Sequence, residues 1–274
     1  MIIGDRALFV SEVLASPPRD LQDLIERGDD TLEALRTAAA TAQGSAETLP
    51  LVDSFRHASA VLRPPQVIAI GANYAAHASE LKLRSEKAAT VFSLWPNSLT
   101  GHDSTTSWPG DLTTQVDYEA ELGVIIGKPA KNVSVAEALD YVWGYTVVND
   151  ITARDLQFSE AQWSRCKSFD GFTPNGPVVV TADEINDPQD LWLTTNLDGR
   201  VVQDASTADM VRSVAEIIEF LSRSATVPPG TLISTGSPGG AGYSRTPPIF
   251  LHDRSTVTVS VGGIGYLTTH CRVI

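Results

Sequence analysis

The sequence predicts a β-rich α+β fold, and three observations predict it. Compact apolar runs rich in Val, Ile and Tyr recur between Gly, Pro, Asn or Asp, the pattern of buried strands. Segments of helical periodicity lie between several of these runs. With 274 residues, 42% hydrophobic and 19% charged, the chain can bury enough apolar surface to offset its ordering entropy. At ~150 residues per domain such a length implies between one and two domains.

Residues 1–62 differ in character from the rest. A strand-like start precedes Leu21, Leu24, Ile25, Leu32 and Leu35, which recur at helical spacing on either side of Gly28-Asp29-Asp30, so two short helices are expected. Arg63-Pro64-Pro65 then marks a boundary, because a proline pair favours extended chain, and the division is 1–62 and 63–274. Beyond it, strands are expected at 67–71, 118–127, 141–149, 176–185 and 256–269, with a short one before Ser234. Helices are expected at 73–82, 135–138, 152–159 and 209–222, with Thr152 and Asp155 as a capping arrangement for the third. The polar stretch 97–115, with its Pro109-Gly110 turn, reads as a long loop.

Charge and cysteine content exclude several classes. Lys and Arg number 20 against 33 Asp and Glu, a net charge of −13, and no basic stretch exists to neutralise phosphates. Nucleic acid and anionic membrane surfaces are therefore not expected partners. Cys166 and Cys271 are too few and too distant for a disulfide framework or zinc cluster. Asp5 and Arg6 interrupt what would have to be an apolar signal core, and no run of ~18 apolar residues occurs, so a cytoplasmic protein is expected.

Several residues could carry chemistry. On a strand, Glu119 and Glu121 share one face, with Tyr118, Ala120 and Leu122 on the other. Close to the apolar LGVIIG run, two carboxylates would repel each other unless a hard divalent cation sat between them; the alternative is an exposed face with two solvated glutamates. Asp150 ends a strand-like run just before a helix start and is either a third ligand or a cap. His77 and Glu80 lie at i, i+3, so the carboxylate could orient the imidazole to deprotonate water, or the two are an incidental surface pair. Arg154 and Gln157 form a second polar cluster. Lys167, among Trp163, Phe169 and Phe172, is either a cation for a carboxylate or enolate, or a stem packed on aromatics with its head in water. The turn-rich loop 234–242, STGSPGGAG, could bind an anion, but it lacks the Gly-Lys-Ser/Thr of a phosphate loop.

The ordered motifs GANYAAHASE, VDYEAELGVIIGK, GYTVVNDITARDLQ, KSFDGFTPNGPVVVTADEI and STGSPGGAG resemble the fumarylacetoacetate hydrolase superfamily. The resemblance runs from Val67 to the C-terminus and implies a mixed β-roll or sandwich with flanking helices, preceded by a small N-terminal α+β subdomain and assembled as a homodimer. It implies that Glu119, Glu121 and Asp150 hold a divalent metal, Mg²⁺ or Mn²⁺, with Ca²⁺ as a substitute in crystals. His77 and Glu80 fall on the catalytic dyad and Lys167 on the active-site lysine, while Tyr74, Arg154, Gln157 and Ser237 fall on the substrate pocket. The activity implied is hydrolysis of a C–C bond in a small β-dicarbonyl acid, acylpyruvate or fumarylacetoacetate-like. Alternatives are decarboxylation, isomerisation or dehydration of a 2-oxo acid on the same site, or a metal-holding binding protein without turnover. Trp95 stands where many relatives have the lysine of a Phe-x-Lys-Pro motif, Gly171 where Thr is usual, Asn175 where an apolar residue is usual, and Ser237 where Thr is usual.

Overall fold

The structure is a computed structural model and describes residues 1–81 and 89–274. The chain opens with the hairpin β1 (Ile2–Ile3) and β2 (Arg6–Ala7), followed by α1 (Val10–Val13). The two expected helices follow as α2 (Leu21–Arg27) and α3 (Asp29–Ala42). Asp20 caps α2 by accepting the Asp23 N–H at 2.9 Å. Gly28, at φ +78°, supplies the left-handed turn that separates them.

Next come β3 (Val67–Gly71), α4 (Ala75–Glu80), β4 (Thr90–Ser93), β5 (Leu99–Thr100), β6 (Ser104–Trp108), β7 (Val116–Asp117), β8 (Ala120–Ile126) and β9 (Val142–Asn149). The remainder is β10 (Thr152–Ala153), α5 (Arg154–Ser159), β11 (Thr173–Thr181), β12 (Trp192–Leu197), β13 (Arg200–Ser206), α6 (Val214–Ser224), β14 (Leu232–Ser234), β15 (Thr256–Val261) and β16 (Gly265–Val273). Two mixed sheets result. One has the order β4-β3-β14-β8-β9-β11-β5 and the other β13-β12-β15-β16-β6. Val124, Tyr145 and Val147 of the first sheet share a buried apolar core with Leu193, Val257, Val259 and Leu267 of the second. Packing two sheets face to face buries Ala120, Leu122, Val124 and Ile126 of β8, and a second apolar cluster with Ile25, Val61 and Val148 covers Ile125 on the other face, which is why β8 is buried at every position. The β-rich α+β expectation is borne out.

Several boundaries depart from expectation. The predicted loop 97–115 contains β5 and β6, which pair in parallel with β11 and β16 and so are fixed by tertiary partners rather than by local pattern. The run 256–269 is two strands, because Gly262-Gly263-Ile264 turns the chain into a hairpin. The strand expected at 176–185 begins at Thr173 and gives way to a 3-10 turn, Ala182–Glu184. The helix expected at 135–138 is a turn leading into a 3-10 segment, Ala138–Tyr141. That expected at 209–222 is α6, opened by a capping box of Ser213 and Glu216 and buried along Val214, Ile217, Ile218 and Leu221. Thr152 does not cap α5: it lies in β10, and the cap position belongs to Ala153. The predicted end of the helix at 73–82, Lys82, lies outside the described residues. Among the described residues no helix is long and apolar enough to cross a membrane.

Candidate active site

Strand register assembles the site. β8 and β9 run antiparallel with Ala120 opposite Asn149, so Glu119, just before β8, and Asp150, just after β9, stand across from each other. Backbone bonds pin them: the Asp150 N–H donates to the Glu119 carbonyl at 3.0 Å, and the Glu119 N–H to Asn149 Oδ1 at 3.0 Å. Glu121 lies one pleat further along β8, on the same side as Glu119. Ligand oxygens of Glu119, Glu121 and Asp150 all fall within 4.8 Å of one another. The three residues are 3%, 2% and 1% exposed, which removes the alternative of solvated glutamates.

Two buried cations answer part of this charge. Lys167 Nζ donates to Glu119 Oε2 at 2.7 Å, Asp150 Oδ2 at 2.6 Å and Thr152 Oγ1 at 2.8 Å. Its head is therefore not in water, and it lies 5.5 Å from the Phe92 ring centroid. Arg154 Nη2 donates to Glu119 Oε1 at 2.7 Å, Nε to Asp117 Oδ2 at 2.9 Å and Nη1 to Gln157 Oε1 at 2.9 Å, with the guanidinium over the Tyr243 ring. Burial alone would raise the Glu119 pKa, but the Lys167 and Arg154 charges hold it well below the usual carboxylate range. Burial lifts Glu121 well above that range, with Asp150 and Glu119 adding to the shift. Burial likewise lifts Asp150 to about 6, Lys167 opposing and Glu119 reinforcing.

His77, on α4, is buried between two carboxylates: Nδ1 lies 3.1 Å from Glu80 Oε2 and Nε2 3.2 Å from Glu119 Oε1. Burial would lower its pKa, yet hydrogen bonds to Glu119 and Glu80 leave it raised. Glu80, which burial alone would raise, is held low by His77 and by the Gly240 N–H.

The amides of the loop 234–242 are turned on the chain's own carboxylates. Gly236 N–H and Ser234 Oγ donate to Glu121 Oε2 at 2.8 and 2.5 Å. Gly240 N–H donates to Glu80 Oε1 at 2.8 Å, and Gly242 N–H to Asp117 Oδ1 at 2.9 Å. Asp117, Gln203 and Tyr243 are site residues that the sequence reading missed. Asp117 opens the DYEAE motif, but its link to Arg154 and to the loop arises only in the fold.

A narrow cleft of about 10 Å³ is lined by His77, Glu119, Glu121, Asp150, Gln157, Lys167 and Ser237. Ser237 Oγ accepts from Gln203 Nε2 at 2.9 Å. Tyr74 and Arg154 stand off the cleft wall, so the substrate contacts expected of them are not what this geometry shows. Tyr74 is buried with its hydroxyl unpartnered among the described residues, and burial, with Glu121 and Asp209, pushes its pKa up. Arg154 acts from behind Glu119. Trp95 is 44% exposed and does not line the cleft.

The family described as fumarylacetoacetate (FAA) hydrolase C-terminal matches residues 66–272. The chain belongs to this family. An uncharacterized Staphylococcus aureus protein is 39% identical over 244 residues, covering 88% of this chain and 81% of its own. The solved fumarylacetoacetate hydrolase of Exiguobacterium antarcticum is 36% identical, with a TM-score of 0.80, covering 93% of this chain and 88% of that one. The solved 2-hydroxyhepta-2,4-diene-1,7-dioate isomerase of Mycobacterium marinum is 34% identical, with a TM-score of 0.70, covering 82% and 83%. The fold is thus of fumarylacetoacetate hydrolase type, and the enzyme class it supports spans hydrolases and isomerases.

Proposed function

We propose that this fumarylacetoacetate hydrolase family member is a divalent-metal-dependent hydrolase that cleaves a C–C bond in a small β-dicarbonyl acid, acylpyruvate or fumarylacetoacetate-like. The observation that carries the reading is the buried Glu119, Glu121 and Asp150 triad with the His77–Glu80 pair against it. The triad fits a hard cation such as Mg²⁺ or Mn²⁺. Its donors are all oxygen, Asp150 Oδ1 is buried without a partner among the described residues, and burial, with the neighbouring carboxylates adding to it, raises the pKa of Glu121 and Asp150, a cost that a bound cation would relieve. Bound there, the ion would polarise the substrate's carbonyl groups as a Lewis acid.

The chain's own side chains supply the proton chemistry. Glu80 faces Nδ1 of His77 and Glu119 faces Nε2, so the raised pKa goes with a proton on each nitrogen, and Nε2, beside the triad, is the atom that would give up its proton first once Glu119 is neutralised. The charge of Glu119 helps keep a proton on His77, so neutralising Glu119 moves the imidazole toward the neutral form that can take a proton from water. Lys167, held charged by Asp150 and Glu119 against the effect of burial, places a cation where an enolate develops negative charge. An isomerase reading is favoured by the name of the Mycobacterium marinum neighbour. The same His77 and Lys167 would then move a proton between carbons without attack by water.

With Mg²⁺ or Mn²⁺, the purified protein is expected to remove the enol absorbance of an acylpyruvate and release pyruvate. Glu119→Ala should lose metal binding and turnover together, whereas His77→Ala should keep metal binding and slow hydrolysis about 10²–10⁴-fold. A product with its carbon skeleton intact would favour the isomerase. Metal binding in both parent and His77→Ala without any product would favour the binding-protein reading. The homodimer implied by the resemblance is also a proposal, tested by a sedimentation mass of twice 29.3 kDa.

A further inference from the structure

Gln203 reaches the site through a break in strand alternation. Along β12 and β13, Thr195 faces Gln203 but Asn196 faces Val201, so Val202 is an extra residue, a β-bulge. The bulge turns two successive side chains inward: Val202 joins the apolar core, and Gln203 is buried against the site. We propose that Gln203 is a positioning residue that holds the Ser237 hydroxyl as a hydrogen-bond donor toward an oxygen of the substrate. The inference rests on the hydrolase reading above and adds to it a residue that acts through Ser237.

Hydrogen-bond polarity leaves this amide one orientation. The Ala120 N–H, between Glu119 and Glu121, can only donate, so the atom it meets at 3.0 Å is Gln203 Oε1, which also accepts from Thr195 Oγ1 at 2.7 Å. The Nε2 end therefore faces the loop after β14, donating to Ser237 Oγ at 2.9 Å and to the Pro238 carbonyl at 3.0 Å. Both hydrogens of the amide and both lone pairs of its oxygen are then used, and a turned-over amide would set its NH₂ against the Ala120 N–H. The Val202 carbonyl accepts from Arg245 Nη2, which fastens the same stretch of β13 to the chain beyond the loop.

A hydroxyl that accepts from Gln203 must send its own proton elsewhere. Ser237 is buried and lines the cleft with His77, Gln157 and Lys167. Among the described residues its proton has the Pro238 carbonyl as acceptor at 3.4 Å, a long contact to an oxygen that Gln203 Nε2 already occupies. An oxygen entering the cleft beside Ser237 offers a better acceptor, and a charged carboxylate or enolate oxygen the best one. The cleft volume of about 10 Å³ is the room of a single such atom. Without Gln203 the Pro238 carbonyl would lose its amide donor and compete for the same proton, so the hydroxyl would no longer be aimed into the cleft.

The test is a double-mutant cycle of Gln203→Met and Ser237→Ala, read by calorimetric binding of pyruvate at saturating Mn²⁺ and of Mn²⁺ alone, with melting temperatures to confirm folding. Ser237→Ala should weaken pyruvate binding about tenfold, Gln203→Met by a similar factor, and the double variant no more than Ser237→Ala alone. On an acylpyruvate, Gln203→Met should raise KM more than it lowers kcat. An equal cost of Gln203→Met in the Ser237→Ala background and in the parent would overturn the inference, since Gln203 would then act elsewhere. So would a loss of Mn²⁺ affinity by the same factor as pyruvate affinity, the mark of an amide that merely braces β8, or unchanged pyruvate binding in Ser237→Ala. Should Gln203→Met not fold, Gln203→Glu at alkaline pH takes its place in the cycle with the same outcomes, because it keeps an acceptor for the Ala120 N–H but presents Ser237 with an oxygen. A parent that binds pyruvate yet turns over no acylpyruvate ends the hydrolase reading and leaves the cycle to decide Gln203; a parent that binds no pyruvate overturns the inference.

Discussion

Asp150 has one oxygen, Oδ2, on Lys167 and the other, Oδ1, buried without a partner among the described residues. Its folded pKa of about 6 lies above the ordinary 3.8, so the fold favours the protonated acid. That contribution to stability is fully present below 3.8 and is lost as pH rises through about 6. A divalent cation bound at the proposed site would have to displace this proton. Affinity for Mn²⁺ is therefore expected to fall as pH drops through about 6, and calorimetry in buffers of different ionisation heat should show proton release on loading. His77 has the same sign: its raised folded pKa adds stability below 6.5 that fades as pH rises through the folded value, so His77→Gln should flatten the pH dependence of the metal-free melting temperature. Lys167→Met keeps the stem but leaves Glu119 and Asp150 without their shared ammonium. It should cost about 3–5 kcal/mol in chemical denaturation without metal, with part recovered when Mg²⁺ is added. A period of two places Glu119 and Glu121 on one face and a strand end offers Asp150, but spacing alone left solvated glutamates and a helix cap open, and it was the resemblance to the family that made the three a triad. Asp117 was not legible, because its partners Gly242 and Tyr243 are distant in sequence and reach it only through the fold.

At the scale of elements, the loop after β14 aligns three separate carboxylates with backbone amides: Glu121 beside the triad, Glu80 behind His77, and Asp117 behind Arg154. Gly236→Ala tests this coupling. At φ +99° the loop uses a conformation that L side chains rarely adopt, and an added Cβ would lie 2.7 Å from the Asn73 Cβ and 2.9 Å from the Ile70 carbonyl. The variant should lose about 1–3 kcal/mol in thermal or denaturant unfolding and bind metal more weakly, since Gly236 also fixes Glu121. Turn-rich composition marked this loop in the sequence, and its role as a set of internal clamps was invisible there because it depends on which carboxylates face it. Strands with strong β-branched runs, β3, β8 and β9, were legible for the opposite reason: their burial on both faces writes itself into a continuous apolar pattern. β5, β6, β12 and β13 carry more polar residues and owe their existence to partners elsewhere in the chain.

Across the whole molecule, Ile25 and Val61 of the N-terminal residues pack in one apolar cluster with Val67, Ala69, Ile125, Val148 and Leu232. Gln22 Nε2 donates to the Pro229 carbonyl, and Ser59 Oγ to Asn175 Oδ1 at 2.9 Å. Removing residues 1–62 would strip the cover from strands that carry the site, so such a truncation is expected to melt lower or aggregate, measured by scanning calorimetry and light scattering. The boundary at Arg63-Pro64-Pro65 marks a change of local pattern, which is a property of sequence, while the shared cluster is a property of packing. The net charge of −13 stays on the outside of this argument, since the site balances its own buried acids with Lys167 and Arg154.

The ammonium bridge from Lys167 to Glu119 and Asp150 has a consequence for the order of assembly. A protein that carries its own counter-ion can complete its fold before any metal arrives and can survive the loss of that metal afterwards. Chelation should therefore empty the site reversibly, leaving a folded reserve that can be recharged with a different ion.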